Sequence, residues 1–154
     1  MHANEVDKTV ELTIIIFKVG EKLFGLSSTD VVEVLPILEL FDAGEPTEAY
    51  DAVFNLRGEI IPALNLKRRF GADDGHFEIW NNILVVENAG VKYGLIVEKV
   101  LDVVTFDPAI KRAELHWTRL NRNEVFNWGH SVVAMLNLKD VLKKAKLAQS
   151  TEAV

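Results

Sequence analysis

The sequence predicts an all-β protein: two small closed barrels packed together, related by an internal duplication, with one helix near the C-terminal end. Three observations carry that prediction. Phe24-Gly25-Leu26 returns 69 residues later as Tyr93-Gly94-Leu95, and the same spacing pairs Ile14 with Ile83, Val31 with Val100, Glu33 with Asp102 and Val34 with Val103. The stretch "IIPALNLK" (Ile60 to Lys67) returns 72 residues later as "VVAMLNLK" (Val132 to Lys139). Between these markers lie short apolar runs separated by turn residues, with few convincing helical patterns. Two matches in the same order, at nearly the same spacing, make tandem duplication the better explanation than chance.

The elements follow in chain order. Residues 1–10 read as a tail, and the ordered domain spans about 11–146. A first barrel covers about 11–75 and a second about 76–146, with strands able to exchange between them, and 147–154 form a second tail. "LTIIIFKVGEKLFGL" is strand, turn and strand: Ile14, Ile15, Ile16 and Phe17 favour a pleated sheet, and Gly20 supplies the turn. "NILVVENAGVKYGL" repeats that hairpin. In the second repeated stretch, alternation puts Ile60, Pro62, Leu64 and Leu66 on one apolar face, and Val132, Ala134, Leu136 and Leu138 on its counterpart. Asn65 and Asn137 stand in register on the other faces. Pro62 cannot donate a ladder hydrogen bond, so it marks an edge or a bulge. In "LKDVLKKAKL", Leu138, Val141, Leu142 and Ala145 make a helical stripe, and Lys143, Lys144 and Lys146 fall late in the helix, where the dipole favours cations.

Composition narrows the function. The 154 residues are 49% hydrophobic and 26% charged, enough for a packed core and without a disordered signature. No cysteine is present, which removes disulfides, thiolate nucleophiles and Cys-based zinc sites and suits a reducing cytoplasm. A net charge of -6 argues against a nucleic-acid binder. The beginning of the chain carries the acidic or amide residues Asn4, Glu5, Asp7 and Glu11 where a secretory signal would concentrate basic charge, and no apolar run approaches the roughly 20 residues that span a bilayer. A soluble cytoplasmic protein with no membrane insertion is expected.

A search for chemistry finds no constellation. There is no Gly-rich phosphate loop, nucleophile elbow or HExxH helix. His2, His76, His116 and His130 read as surface or turn residues. Asp73-Asp74 lacks the alternating oxygen ligands and terminal Glu of a calcium loop. No metal, cofactor or enzymatic activity is expected. Lys67-Arg68-Arg69 reads as a solvated segment after a strand or as a surface for an acidic partner. Trp80, Trp117 and Trp128 read as core or lid residues. Asn55-Leu56-Arg57-Gly58 is a tight turn between strands, since Asn and Gly tolerate positive φ. Turn chemistry does not explain Arg57. Its five donors either fold back onto carbonyls or are presented to a partner.

With "NLRGEIIPALNL", the upstream "LFGLSSTDVVEVL" and the downstream "YGLIVEKVLDVV" in hand, the chain resembles the CheW-like family of bacterial chemosensory coupling proteins, from about Leu12 to Lys144. The resemblance implies two packed five-stranded SH3-like barrels. It also implies a non-catalytic adaptor, joining the cytoplasmic tip of a methyl-accepting chemoreceptor to the regulatory domain of a CheA-type histidine kinase. By the same resemblance, Val31, Glu33 and Arg57 match positions tied to receptor contact or to shaping the receiving groove, and Asn55, Leu56 and Gly58 complete the turn motif. A groove between barrels can take the apolar stripe of a helix, with Glu33 and Arg57 fixing register by charge. The chain departs from the family pattern at Ala52 (commonly Gly), Asn65 (commonly Asp) and Glu98-Lys99 (commonly Asp-Gly), and across Arg112 to Gly129. Those departures leave a second expectation: an adaptor or decoy of a twitching-motility or other alternative chemosensory pathway that binds kinase without the usual receptor.

Overall fold

A computed structural model describes residues 12–42, 50–71, 76–107, 116–120 and 123–143. The first half gives strands β1 (Leu12–Val19), β2 (Lys22–Ser27), β3 (Val31–Pro36), β4 (Ala52–Leu56) and β5 (Glu59–Asn65). One turn of 3-10 helix at Ser28–Asp30 separates β2 from β3, and a one-turn helix α1 (Leu66–Arg69) ends the half. The second half gives β6 (Asn82–Asn88), β7 (Val91–Val97), β8 (Lys99–Phe106), β9 (Thr118–Leu120), β10 (Asn123–Trp128) and β11 (Ser131–Met135). Residues 138–143 are helical.

Two sheets result, ordered β8-β1-β2-β11-β10-β9 (sheet A) and β3-β6-β7-β5-β4 (sheet B). Exchanging the two halves of the chain turns the first five strands of sheet A into sheet B, strand for strand. The registers agree residue by residue. Phe17 faces Phe24 as Val86 faces Tyr93, Met135 faces Gly25 as Ala63 faces Gly94, and Trp128 faces Ser131 as Leu56 faces Glu59. Even the irregularities match: pairing slips between Val31 and Glu33 on β3, and at Val100 and Asp102 on β8. The fold is therefore all-β, two SH3-like subdomains of common design, and each sheet draws strands from both halves. β3 of the first half pairs with β6 of the second, and β8 of the second pairs with β1 of the first.

That exchange places the core. The central strands are buried on both faces, so one side of each feeds a core shared by the two sheets and the other side feeds the subdomain's own. On β1, Ile15 and Phe17 enter the shared core while Ile14 and Ile16 join Phe126 and Val133. On β6, Leu84 and Val86 enter the shared core while Ile83 and Val85 join Phe54, Ile61 and Ile96. Each such side chain contributes about 1.5–3 kcal/mol by leaving water. The repeated Asn explains how both "LNLK" segments leave their sheets. Asn65 Oδ1 accepts the Lys67 and Arg68 N–H groups, and Asn137 Oδ1 accepts that of Asp140, so each Asn caps a helix whose first leucine, Leu66 or Leu138, plugs the shared core.

Two expectations need correcting. The expected faces are buried only in part: Leu64, Leu66 and Leu138 lie in the shared core, but Ile60 and Val132 are exposed, and Ile61, Ala63 and Val133 of the opposite faces are buried. Both runs are apolar at consecutive positions, so alternation alone could not set the parity; the hairpin register does. The first half also ends in a helix that its four residues made too short to read from periodicity. Pro62 sits opposite Val53 of β4, and the pairing of β5 with β7 begins only at Ala63, so the missing N–H falls where β5 is still locally an edge.

Candidate functional site

The site forms at one open end of sheet B. β4 and β5 meet in a two-residue turn in which Arg57 and Gly58 both have positive φ, 52° and 90°, the geometry that matches the twist of a hairpin. Asn55 Oδ1 accepts the Gly58 N–H at 2.9 Å, which fixes the turn from within. Leu56 packs against the core beneath, beside Phe54 and Ile61. Arg57 thereby projects from one edge of the sheet toward β3, the other edge. Its two terminal nitrogens donate to the two oxygens of Glu33, at 3.0 Å and 2.6 Å. This fork-on-fork pair ties the sheet's two outer strands together across the end of the core.

Arg57 thus folds back, but onto a carboxylate rather than carbonyls, and its side chain stays 68% exposed. Glu33 is more enclosed, at 27%. The hydrogen bonds from Arg57 hold the Glu33 carboxyl below the usual carboxylate range, and the guanidinium of Arg57 is correspondingly raised. Glu33, Asn55, Leu56, Arg57 and Gly58 are brought together. Val31 lies on the same strand but packs against the shared core. Val32, Val34 and Ile60 are exposed large apolar residues on the strands that carry the site.

Sequence reasoning missed two participants. Lys92 is the second residue of β7, and its ammonium lies 3.4 Å from Oε1 of Glu59, the residue directly after the turn. Glu59 adjoins the motif, but nothing in the sequence pointed to Lys92, which is adjacent only through the pairing of distant strands.

The basic cluster has a different explanation from either one expected. Asp51, nearly buried, accepts the Asn65 N–H at 2.7 Å and Arg69 Nε at 3.0 Å, and also pairs with Arg68. Lys67 is buried and its ammonium donates to the His76 carbonyl at 3.0 Å. The cluster fastens α1 to the start of β4. Trp117 stacks on Phe126 and Trp128 packs on the same core, but Trp80 is exposed and is not a core residue. His76, His116 and His130 are exposed, and His116 has a φ of 53°. His2 and Asp73-Asp74 lie outside the described residues. Among the described residues no three His, Asp or Glu side chains converge as metal ligands, and no helix is long and apolar enough to cross a membrane.

A family pattern described as the CheW-like domain matches residues 13–146, most of the chain and all of the site. The chain belongs to the CheW-like family. Among individual CheW-like proteins, it is 28% identical over 100 residues to the chemotaxis protein CheW of Treponema pallidum, covering 61% of this chain and 58% of that one. It is 28% identical over 99 residues to the CheW of Klebsiella aerogenes, covering 64% and 59%, and 24% identical over 98 residues to that of Thermotoga maritima, covering 64% of each. The chain therefore spans less than two thirds of the length of these curated relatives. The crystal structure of the scaffolding protein TtCheW from Thermoanaerobacter tengcongensis superimposes with a TM-score of 0.66 at 28% identity, over 84% of this chain and 86% of that one.

Proposed function

We propose that this chain is a non-catalytic adaptor of a chemosensory array, coupling the cytoplasmic tip of a chemoreceptor to the regulatory domain of a CheA-type histidine kinase in the cytoplasm. The observation that carries the reading is the Glu33–Arg57 clamp, held by the Asn55–Gly58 turn within a CheW-like fold. A bidentate pair that is fixed before binding presents charge at a defined place, and the exposed Val32, Val34 and Ile60 offer apolar contact on the same strands. A receptor tip is a helical hairpin bundle, and a helix with an apolar stripe and flanking charges fits such a surface.

The test is a reconstituted array. Arg57→Glu and Glu33→Lys are each expected to abolish receptor coupling while the unfolding midpoint stays near that of the unaltered protein. If both variants couple normally, the site is elsewhere. The departures between Arg112 and Gly129 favour a second reading, an adaptor or decoy of another chemosensory pathway that binds kinase alone. Titration with a receptor-tip fragment, using the kinase regulatory domain as positive control, separates the two.

A further inference from the structure

The clamp does not stand alone at its end of sheet B. Glu59 follows the turn on β5, Lys92 lies beside it near the start of β7, and Glu87 faces Lys92 across the β6–β7 pair. Lys92 shares its face of β7 with Ile96, whose side chain lies in the core closed by Leu56. Arg57, Glu33, Glu59 and Lys92 together make a lid of alternating charge over that core. The two ion pairs in it differ in kind. Glu33 and Arg57 are joined by two hydrogen bonds that fix both side chains, although each Glu33 oxygen keeps a lone pair and Arg57 keeps three N–H groups. The Lys92–Glu59 contact is single and longer, 3.4 Å, with side chains 33% and 57% exposed. One N–H of the lysine is used there, leaving two donors, and Glu59 keeps its second oxygen. Such an exposed pair is worth little on its own and costs little to extend to a partner. In the other copy of the fold, Leu23 and Ser131 stand where Lys92 and Glu59 stand here, so the feature belongs to one end of the molecule.

Resting on the receptor-tip reading above, we propose that Lys92 and Glu59 form a specificity-determining charge pair of the same surface, reading an acidic and a basic side chain one turn apart on the partner helix. The clamp sets the shape of the surface; the looser pair selects by charge which helix is accepted. Side chains three or four positions apart on a helix are neighbours at about 5–6 Å, close enough to meet both members of one ion pair.

The test is titration of a soluble receptor-tip fragment against Lys92→Glu, Glu59→Lys, the double swap and Arg57→Glu, with binding of the kinase regulatory domain confirming that each variant is folded. Lys92→Glu is expected to weaken tip binding about tenfold. The double swap restores the local ion pair with reversed polarity and is expected to stay as weak. If the swap recovers binding, the pair only steadies the turn and the proposal is overturned. If Lys92→Glu binds as well as the unaltered protein while Arg57→Glu does not bind, the proposal fails and the receptor-tip reading stands. If Arg57→Glu also binds normally, both fall.

Discussion

The two ends that the duplication should have made alike are built from opposite chemistry. At the end of sheet B, Glu33, Arg57, Glu59 and Lys92 lie over a core of Phe54, Ile61 and Ile96. At the equivalent positions of sheet A stand Asp102, Gly129, Ser131 and Leu23. Trp128 takes the place of Leu56, and Trp117 stacks on Phe126 with 4.7 Å between ring centroids. One end is closed by charge and the other by aromatic packing. Gly129, not an arginine, stands where Arg57 does, and the Asp102 carboxylate accepts the N–H of the next residue, Val103, at 2.8 Å. The registers of the five matched strands are the same in both copies, so the difference lies in the side chains and in β9, which pairs with β10 where β4 has, among the described residues, only a single bridge, Val53 to Phe41. Duplicated backbones preserve the frame while the ends are free to specialise.

The largest predicted contrast lies where the copies share a constraint but meet it differently. Gly94 and Gly25 are equivalent and both lie under a neighbour. A methyl group at Gly94 would strike the Phe54 ring, 2.8 Å from Cζ, and press Ile83 at 3.0 Å. At Gly25 it would meet the sulfur of Met135 at 2.8 Å and Ile14 at 2.9 Å. Thioethers rotate aside and buried phenyl rings do not, so Gly94→Ala should cost about 3 kcal/mol and Gly25→Ala about half as much. Denaturant midpoints check this, and equal costs would mean that the two cores are equally yielding.

A smaller contrast follows from Asp51. Its carboxylate serves Asn65, Arg68 and Arg69, whereas its counterpart Asn123 is exposed. Removing Asp51 leaves Arg69, which is largely enclosed, without its carboxylate. Asp51→Ala should therefore cost about 2 kcal/mol, below the range for a fully buried pair because Arg68 is half in water. Asn123→Ala should fall within about 0.5 kcal/mol of zero. A calorimetric comparison in which both changes cost the same would show that Asp51 is not the fastener its contacts suggest.

The frame was legible in the sequence because duplication prints the same constraint twice. Phe24-Gly25-Leu26 and its repeat fixed the hairpins, and the two "LNLK" segments fixed where strand gives way to helix. The turn at Asn55–Gly58 was equally plain, since its residue types answer a backbone requirement. The inward face of β5 was not, because Ile60 and Ile61 are indistinguishable by hydropathy and only the pairing partner decides between them. The partners of Arg57 and Asp51 escaped for a related reason. An ion pair joining residues 24 apart, as Glu33 and Arg57 are, leaves no local pattern, and the β3–β6 exchange that brings them together is a tertiary event.

The finest contrast concerns a single backbone position, Arg57 in one copy and Gly129 in the other, with φ of 52° and 64°. A side chain in that region costs roughly 1 kcal/mol relative to glycine. Gly129→Arg should therefore destabilise by about 1 kcal/mol, with no glutamate placed to repay it, since Asp102 is shorter and already engaged. Arg57→Gly works the other way. It relieves the same strain and gives up an exposed ion pair worth about 0–1 kcal/mol, so its stability should change by less than about 0.5 kcal/mol. If Arg57 were there to hold the sheet edges together, its removal would show in the unfolding midpoint. If it is there for a partner, the midpoint stays and receptor-tip binding disappears. A residue kept in an unfavourable conformation with no net gain in stability is most simply explained by something outside the fold that needs it. An Arg57→Gly variant that loses more than about 2 kcal/mol, or that binds the tip unchanged, would remove that explanation.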